Sequence, residues 1–440
     1  MKTGGLIVAV IVLAGLAGGL YWSNHHKPAD DAVKASADVS PKILTLNETD
    51  LTKVDLKKAS GDEVALARNG SGAWEIVAPK PLTADQSSVT SMLGILSSLA
   101  SERVVEDKAT DLQQYGLLKP SLTVDVTDKS NKEKKLLIGD DTPAGTSAYA
   151  MLEGDPHVYT IATYTKNEVN KTANDLRDKR LITLQPDKVS RVELIANNQD
   201  LEFGRDKDQW QIIKPRPLRA DSAEVGDLVS KLTDAKMDLS GTDDAKKIEA
   251  AFGSGKPVGT AKVTGDSGTQ QLDVRKSKDD YYAKSSVVPG VYKLSPDVGL
   301  ELGKKLEDFR NKKLFDFSFE DPTKLEIYDG AKSYFLTRSG ADWWSGDGKK
   351  LDSSSVQPLI SDIRDLSASK FVESGFTSPS LQLTVTSSDG KRVEKVLLSK
   401  AGDNYIAKRE GEPALYQVNT SSIADLQKAA GELKPADTKK

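Results

Sequence analysis

The sequence predicts an α+β protein: three tandem repeats, each an antiparallel β-sheet with one or two packed helices, after one N-terminal transmembrane helix. Three observations lead there. The stretch WEIVAPKPLTADQSSVTSMLGILSSL at 74–99 returns as WQIIKPRPLRADSAEVGDLVSKL at 210–232. Around both copies lie short runs in which apolar and polar residues alternate, the pattern of half-buried strands. Ahead of everything stands GLIVAVIVLAGLAGGLYW at 5–22, with no charged residue.

That apolar run is long enough to cross a bilayer, which takes about 17–25 residues. It exceeds the apolar core of a signal peptide, usually about 7–15 residues. Tyr21 and Trp22 suit the membrane–water interface. The expectation is an uncleaved membrane anchor at 1–27, N-terminus inside, at the cytoplasmic (inner) membrane. The bulk of the chain is then periplasmic or otherwise extracytoplasmic. Residues 28–42, poor in aromatics and rich in Ala, Asp and Ser, read as a flexible linker.

Repeat 1 is expected at 43–183, repeat 2 at 184–316, a shorter and divergent repeat 3 at 317–430, and a polar tail at 431–440. In repeat 1, KVDLKK and EVALARN alternate as strands do, and Trp74 lies on a third strand ended by Pro79, which cannot donate to a ladder. Asp85 is placed to cap a helix. Val89, Met92, Leu93, Leu96 and Leu99 follow at three- and four-residue steps, one apolar helical face. LTVDVTD and KLLIGD read as two further strands. TSAYAML and HVYTI form a hairpin that turns at Asp155 and Pro156, and a polar helix ending near Leu181 closes the unit.

The copies keep order and spacing together. Trp74, Pro79 and Asp85 recur as Trp210, Pro215 and Asp221, each 136 residues on. In the third copy Trp344 follows Trp210 by 134 residues but Asp352 follows Asp221 by 131, so the loop between them reads as three residues shorter and lacks its Pro-x-Pro. Tyr115-Gly116 with Pro120 recurs as Phe252-Gly253 with Pro257, and more loosely as Phe376 with Pro379. Pro156 and Tyr159 recur as Pro289 and Tyr292 and as Pro413 and Tyr416, each set following an Ala at one fixed distance. DLRDKRL at 175–181 recurs as DFRNKKL at 308–314. These signatures are strand anchors, turn formers and packing residues. The basic residues of the closing motif read as cations at a negative helix end.

Candidates for chemistry are few. With no Cys, disulfides and thiolate chemistry are excluded, and the three His are His25, His26 and His157. A net charge of −4 argues against nucleic acid as a partner. GSGKP at 253–257 lacks the spacing and the Ser or Thr of a phosphate loop. The pairs Asp140-Asp141, Asp243-Asp244 and Asp279-Asp280 lack the Gly and Glu positions of a calcium loop. No catalytic, cofactor-binding or metal-binding residue is assigned. Trp343 and Trp344 are the candidate contact surface, because adjacent strand residues point to opposite faces and one of the two must leave the core.

The Trp-x-Ile-x-x-Pro opening, the Asp-capped helix, the Tyr-Gly-Leu-x-x-Pro step at 115–120 and the closing Leu-Arg-Asp-Lys-Arg-Leu resemble the bacterial family known as domain of unknown function 4340. The resemblance covers nearly all of residues 43–427 and is weakest in the third unit. It implies one N-terminal anchor and, as partners, subunits of ABC-type export systems similar to those of gliding motility. It carries over no catalytic residue. The expected function is a non-enzymatic, membrane-anchored extracytoplasmic scaffold or accessory protein of an ABC-type transport system. A binder of an envelope polymer such as glycan or peptidoglycan is the alternative, and a carboxylate-based hydrolase the second.

Overall fold

The structure, a computed structural model, describes residues 40–241, 244–318 and 322–436. The expected anchor, most of the linker, and Asp243 lie outside the described residues. Among the described residues no helix is long and apolar enough to cross a membrane. The chain divides into two compact units, Met1–Asp178 and Lys179–Lys440. The first holds one antiparallel sheet, the second holds two.

The first sheet has nine strands, in the order Leu82–Thr83, Trp74–Ala78, Glu63–Arg68, Leu51–Lys58, Leu122–Asp128, Glu133–Asp141, Ser147–Leu152, Val158–Ala162 and Arg103–Glu106. The chain thus starts mid-sheet and steps out to one edge. It then crosses one face as helix α1 (Gln86–Ser97), touches the far edge and re-enters beside its first strand. The crossing helix is what closes the core. Its Val89, Met92, Leu93 and Leu96 are buried, each worth about 1.5–3 kcal/mol of removal from water. Asp85 starts the helix by accepting from the backbone N–H of Ser87 and Ser88 at 2.9 and 3.0 Å, a cap worth about 1 kcal/mol. Gln86 then holds the Trp74 backbone from both sides, accepting its N–H at 2.8 Å and donating to its carbonyl at 2.9 Å.

The second sheet repeats this order with nine strands, and the third has eight. Helix α2 (Ser222–Thr233) is capped by Asp221, and helix α5 (Ser353–Arg364) by Asp352. Opposite each anchoring Trp stands an Arg: Arg68 over Trp74 at 4.7 Å and Arg205 over Trp210 at 6.0 Å. In the third sheet Arg338 is registered with Trp343. The anchor of the third copy is therefore Trp343, 133 residues after Trp210, and not Trp344. Counted from Trp343, the loop before Asp352 is two residues shorter, not three.

Other expectations change. The polar helix near Leu181 is two short helices, Thr163–Val169 and Ala173–Leu176, because Thr172 and Asp175 form a capping box that restarts the helix. Arg177 stands at the helix end as expected, as the C-cap whose N–H bonds the Ala173 carbonyl, and the basic residues after it lie on extended chain; Arg177 bridges to Ala84 in the first unit and Arg180 to Lys236 in the second. Tyr115 and Gly116 end a single tight turn, whereas Phe252 and Gly253 belong to helix α3 (Ala245–Ser254). The close approach in the first copy needs glycine: a Cβ on Gly139 would lie 2.1 Å from the Tyr115 carbonyl oxygen. The second copy holds more than the expected one or two helices, since α3 and α4 (Pro296–Leu302) join α2 and the short Leu306–Phe309 turn. Of the expected polar tail, Lys434 and Ala436 are bonded to the backbone of Asp352 and Lys350.

Within the second unit one apolar core runs through both sheets. Their connection is stitched to each side. Phe309 accepts from Asp221 N–H and Asn311 donates to Arg219, while Leu314 donates to Leu366 and Lys312 accepts from Ala368, all at 2.8–3.0 Å. Around this join Arg219, Arg392 and Arg409 meet Asp316, Glu394 and Glu412. Glu394 accepts from Arg409 at 3.0 Å and from the Asp316 N–H at 3.1 Å. Burial opposes the charge on Arg219, but Asp316 and Glu412 outweigh it and raise its pKa. At the equivalent place one copy earlier, Thr183 and Gln270 make the same link with neutral groups, at 2.8 and 2.9 Å. Replacing Glu394 by Ala takes away a buried carboxylate that Arg392 and Arg409 share and leaves them Asp316 and Glu412, and is expected to cost about 2–3 kcal/mol. Gln270→Ala removes a neutral pair and costs about 1 kcal/mol. Urea midpoints of the two variants check this, and equal shifts contradict it.

Candidate functional site

The third sheet departs from the others on its outer face. Lys332–Ser339 and Asp342–Ser345 form a hairpin whose register sets Arg338 against Trp343 and Thr337 against Trp344. Alternation sends the two tryptophans to opposite faces. Trp343 is 4% exposed, in the core with Leu351 and Val356. Trp344 is 38% exposed. The expected contact surface therefore keeps Trp344 and loses Trp343.

Two more aromatics share that face. Tyr328 and Phe335 are each 38% exposed, and their rings meet edge to face at 5.4 Å. Phe335 lies one alternation before Thr337, so it is a diagonal neighbour of Trp344, within reach of large rings. By register, the positions of Tyr328, Phe335 and Trp344 hold Lys57, Ala65 and Glu75 in the first copy. In the second they hold Ile195, Glu202 and Gln211. Glu202 there is paired with Lys214 at 3.2 Å. The aromatic set thus belongs to one copy. Sequence reading missed Tyr328 and Phe335; an alignment by strand register, rather than by the Trp signature, carries their signal.

The shortened loop shapes the ground beside them. In copies 1 and 2 the Trp strand runs on to Ala78 and Lys214, each followed by a cis proline, Pro79 and Pro215. In copy 3 it stops at Ser345, and pairing with the neighbouring strand ends at Leu336. Among the described residues, Ser333–Phe335 have no strand partner on that side. A cavity of about 410 Å³ opens there, lined by Tyr334, Phe335, Lys349, Leu351, Leu433 and Pro435. Its rim is fixed: Lys349, 2.7 Å from Asp347, and Ser345 hold the Asp347 carboxyl down to about 2.

The remaining signature residues sit in turns and core. Tyr159 donates to Asp155 at 2.9 Å across the hairpin turn at Pro156, and Tyr416 donates to Glu412 at 3.0 Å across the turn at Pro413. Tyr292, with Val at the matching position, donates to the Pro289 carbonyl at 2.9 Å. His157 rests on Asp155, and the adjacent hydroxyl, Tyr159, is itself committed to Asp155. This cluster is a turn clamp with no free nucleophile. Hydrogen bonds from His157 and Tyr159 lower the Asp155 pKa although burial opposes them. Asp55 and Asp125 face each other across two strands. Each meets a lysine through one carboxylate oxygen, Lys53 at 2.6 Å and Lys57 at 3.2 Å, and the other oxygen of each is buried without a hydrogen-bond partner. Among the described residues no group of three or more His, Asp or Glu could hold a metal ion.

Fold and surface define a tandem α+β repeat protein whose copies share an interior and differ in what they expose. The chain belongs to the family described as "Domain of unknown function (DUF4340)", which matches residues 74–211 and 210–379. Each match opens at an anchoring Trp and runs to or past the next, so the family's unit is out of phase with the sheets. No curated protein matches the chain. A solved structure described as a DNA polymerase III beta subunit of Eubacterium rectale aligns at 8% identity over 87% of this chain and 94% of its own, with a TM-score of 0.17. A DNA polymerase sliding clamp from Pseudomonas aeruginosa aligns at 7% identity over 86% and 93%, with a TM-score of 0.16. Scores that low carry no argument about fold or function.

Trp343→Ala is expected to cost about 3–5 kcal/mol, the cost of emptying an aromatic site in a core. Trp344→Ala should stay within about 0.5–1 kcal/mol. Chemical denaturation separates the two. Burial, then the bond to Asp155, push the Tyr159 hydroxyl up to about 12. A raised phenol pKa means the neutral form is the one stabilised. That stability is complete below about pH 10, the unfolded value, and is lost as pH rises from there through the folded value. Tyr115 and Tyr416 are raised as well, the first by its bond to Glu106 and the second by burial, so ultraviolet titration should show several late phenolates, one of which Asp155→Ala brings earlier but leaves above an exposed tyrosine.

Proposed function

We propose that this chain is a non-enzymatic scaffold, held at the cytoplasmic membrane by residues 5–22 with its repeats outside, and that it serves an ABC-type transport system as an accessory protein. Its contact surface is the outer face of the third sheet. One observation carries the reading: Tyr328, Phe335 and Trp344 are exposed together on one copy, at positions that the other two fill with Lys, Ala and Glu or with Ile, Glu and Gln. A monomer gains nothing from half-exposed aromatics, and aromatic residues dominate the energetics of contact surfaces. The repeated interior supports a scaffold as well, since catalysis needs one converging constellation and the recurring residues are packing and turn formers.

The same trio favours a second reading, an envelope glycan as occupant, because exposed rings stack on the C–H faces of sugars. In-cell cross-linking followed by purification through a C-terminal tag discriminates them. Transporter subunits should be recovered by the wild type and lost from the Phe335→Ala, Trp344→Ala double variant, whose fold is checked by circular dichroism. Cell-wall glycan retained by the wild type and lost from the variant moves the assignment to polymer binding. Equal recovery by both proteins removes the surface from either role. A reporter fused at the C-terminus that reads as cytoplasmic ends the extracytoplasmic assignment.

A further inference from the structure

The second copy carries two cavities, about 570 and 680 Å³, that adjoin at Asn197, Pro257 and Val258. Helix α3 leads into this place. Its Phe252 lies under Arg275 at 4.9 Å, and the chain then enters the strand Lys256–Gly265. The larger cavity is lined by Lys256, Lys276 and Lys278, with Tyr281 and Leu300 beside them and no acidic residue. Tyr281 is held against helix α4 because Gly299 has no side chain: a Cβ there would lie 2.1 Å from the ring. Lys276 sits over that ring at 5.1 Å. Leu300 is 65% exposed.

Lys256 and Lys276 are registered directly opposite each other on neighbouring strands. Like charges in that position destabilise a sheet. Among the described residues neither has an acidic partner, nor has Lys278, whereas Lys57, Lys135, Arg191, Lys214 and Lys293 each have one. The adjoining cavity holds one carboxylate, Asp273, and it already accepts from Thr260 at 2.8 Å and from Gln271 at 3.1 Å. In the other copies the registered pairing stops short of the matching positions. Lys256 precedes the signature Pro257; the residues before Pro120 and Pro379 are Lys119 and Ser378. Lys276 lies four residues after Leu272, and the residues four after Leu136 and Val396, its counterparts in register, are Asp140 and Lys400. The ladder thus sets Lys against Lys in the second copy, and the matching positions of the other two are not registered with each other.

We propose that the second copy binds a phosphate-bearing anion between Lys256, Lys276 and Lys278, in the larger of its two cavities. A phosphate accepts from several ammonium groups at once and removes the repulsion between the opposed lysines. Ser277 adds a neutral donor to the lining, and the Asn197 amide has a second hydrogen beyond the one it donates to the Gly303 carbonyl at 2.7 Å. Leu300 offers an apolar flank, so the phosphate can belong to a lipid headgroup or to a free phosphorylated compound. This site is on a different sheet from the aromatic surface and does not depend on it.

The test is isothermal titration calorimetry on the full chain in a neutral detergent. The probes are inorganic pyrophosphate, dihexanoyl phosphatidylglycerol and dihexanoyl phosphatidylcholine. Binding by pyrophosphate alone assigns a free phosphorylated compound, binding by phosphatidylglycerol alone assigns a headgroup, and binding by both assigns the phosphate itself. In each case the Lys256→Gln, Lys276→Gln double variant should bind on the order of 100-fold more weakly, about tenfold for each charged contact. A Lys370→Gln, Lys391→Gln control in the third copy should bind as the wild type does. Without ligand, Lys256→Gln should melt higher than the wild type, which also shows that it folds. Failure of both phosphate probes, equal binding by phosphatidylcholine and phosphatidylglycerol, or undiminished binding by the double variant overturns the proposal.

Discussion

Everything in this chain hangs on how a helix is fastened across a sheet. An antiparallel sheet with one apolar face must cover that face. Here the cover begins with one helix of 12 residues in each copy; a later helix packs beside it, but that first helix is too short to be stable alone in water. Its position is therefore set by its first residue. The Asp cap fixes where the helix begins. In the first two copies the next residue, Gln86 or Ser222, bonds the Trp strand. Trp, cap and helix face form one mechanical element, and the buried side chains of the helix are placed only because it starts where it does.

This explains why the copies could diverge so unevenly. Residues that fasten the helix recur, because losing one misplaces four core side chains. Residues on the outer faces are free of that constraint and have gone three ways. The first sheet presents lysine–aspartate pairs. The second carries a Glu202-centred ion cluster and an added helix whose Phe252 lies against Arg275. The third exposes aromatics beside a trimmed strand. A repeat that conserves its interior and varies its surface is a way to carry several contacts on one scaffold.

The join inside the second unit shows the same economy. Extended residues after Phe309 bond alternately to the copy behind and the copy ahead, so the connection acts as a strand fragment shared by two sheets. Where the neutral Thr183–Gln270 pair sufficed once, the later join uses six charged side chains. A balanced, hydrogen-bonded set of charges tolerates burial, but each member depends on the others.

How much of this was legible beforehand follows from range. Strand alternation, the Asp caps, the apolar helix face and the hairpin turns at Pro156, Pro289 and Pro413 are local, and local physics is written in consecutive residues. The three sheets followed from the spacing of the repeats, and the family from the resemblance of the Trp, Tyr-Gly and closing basic motifs. Registration is not local. Which of Trp343 and Trp344 anchors the third copy depends on the strand opposite, and only Arg338 across the hairpin decides it. Tyr328, Phe335 and Trp344 are scattered over three strands, and Lys256 and Lys276 over two. Sequence by itself determined the repeated module and its fastenings. The tertiary structure decided which side chains meet on its surfaces, because contacts between strands are set by pairing register, and a shift of one residue would turn every one of them to the other face.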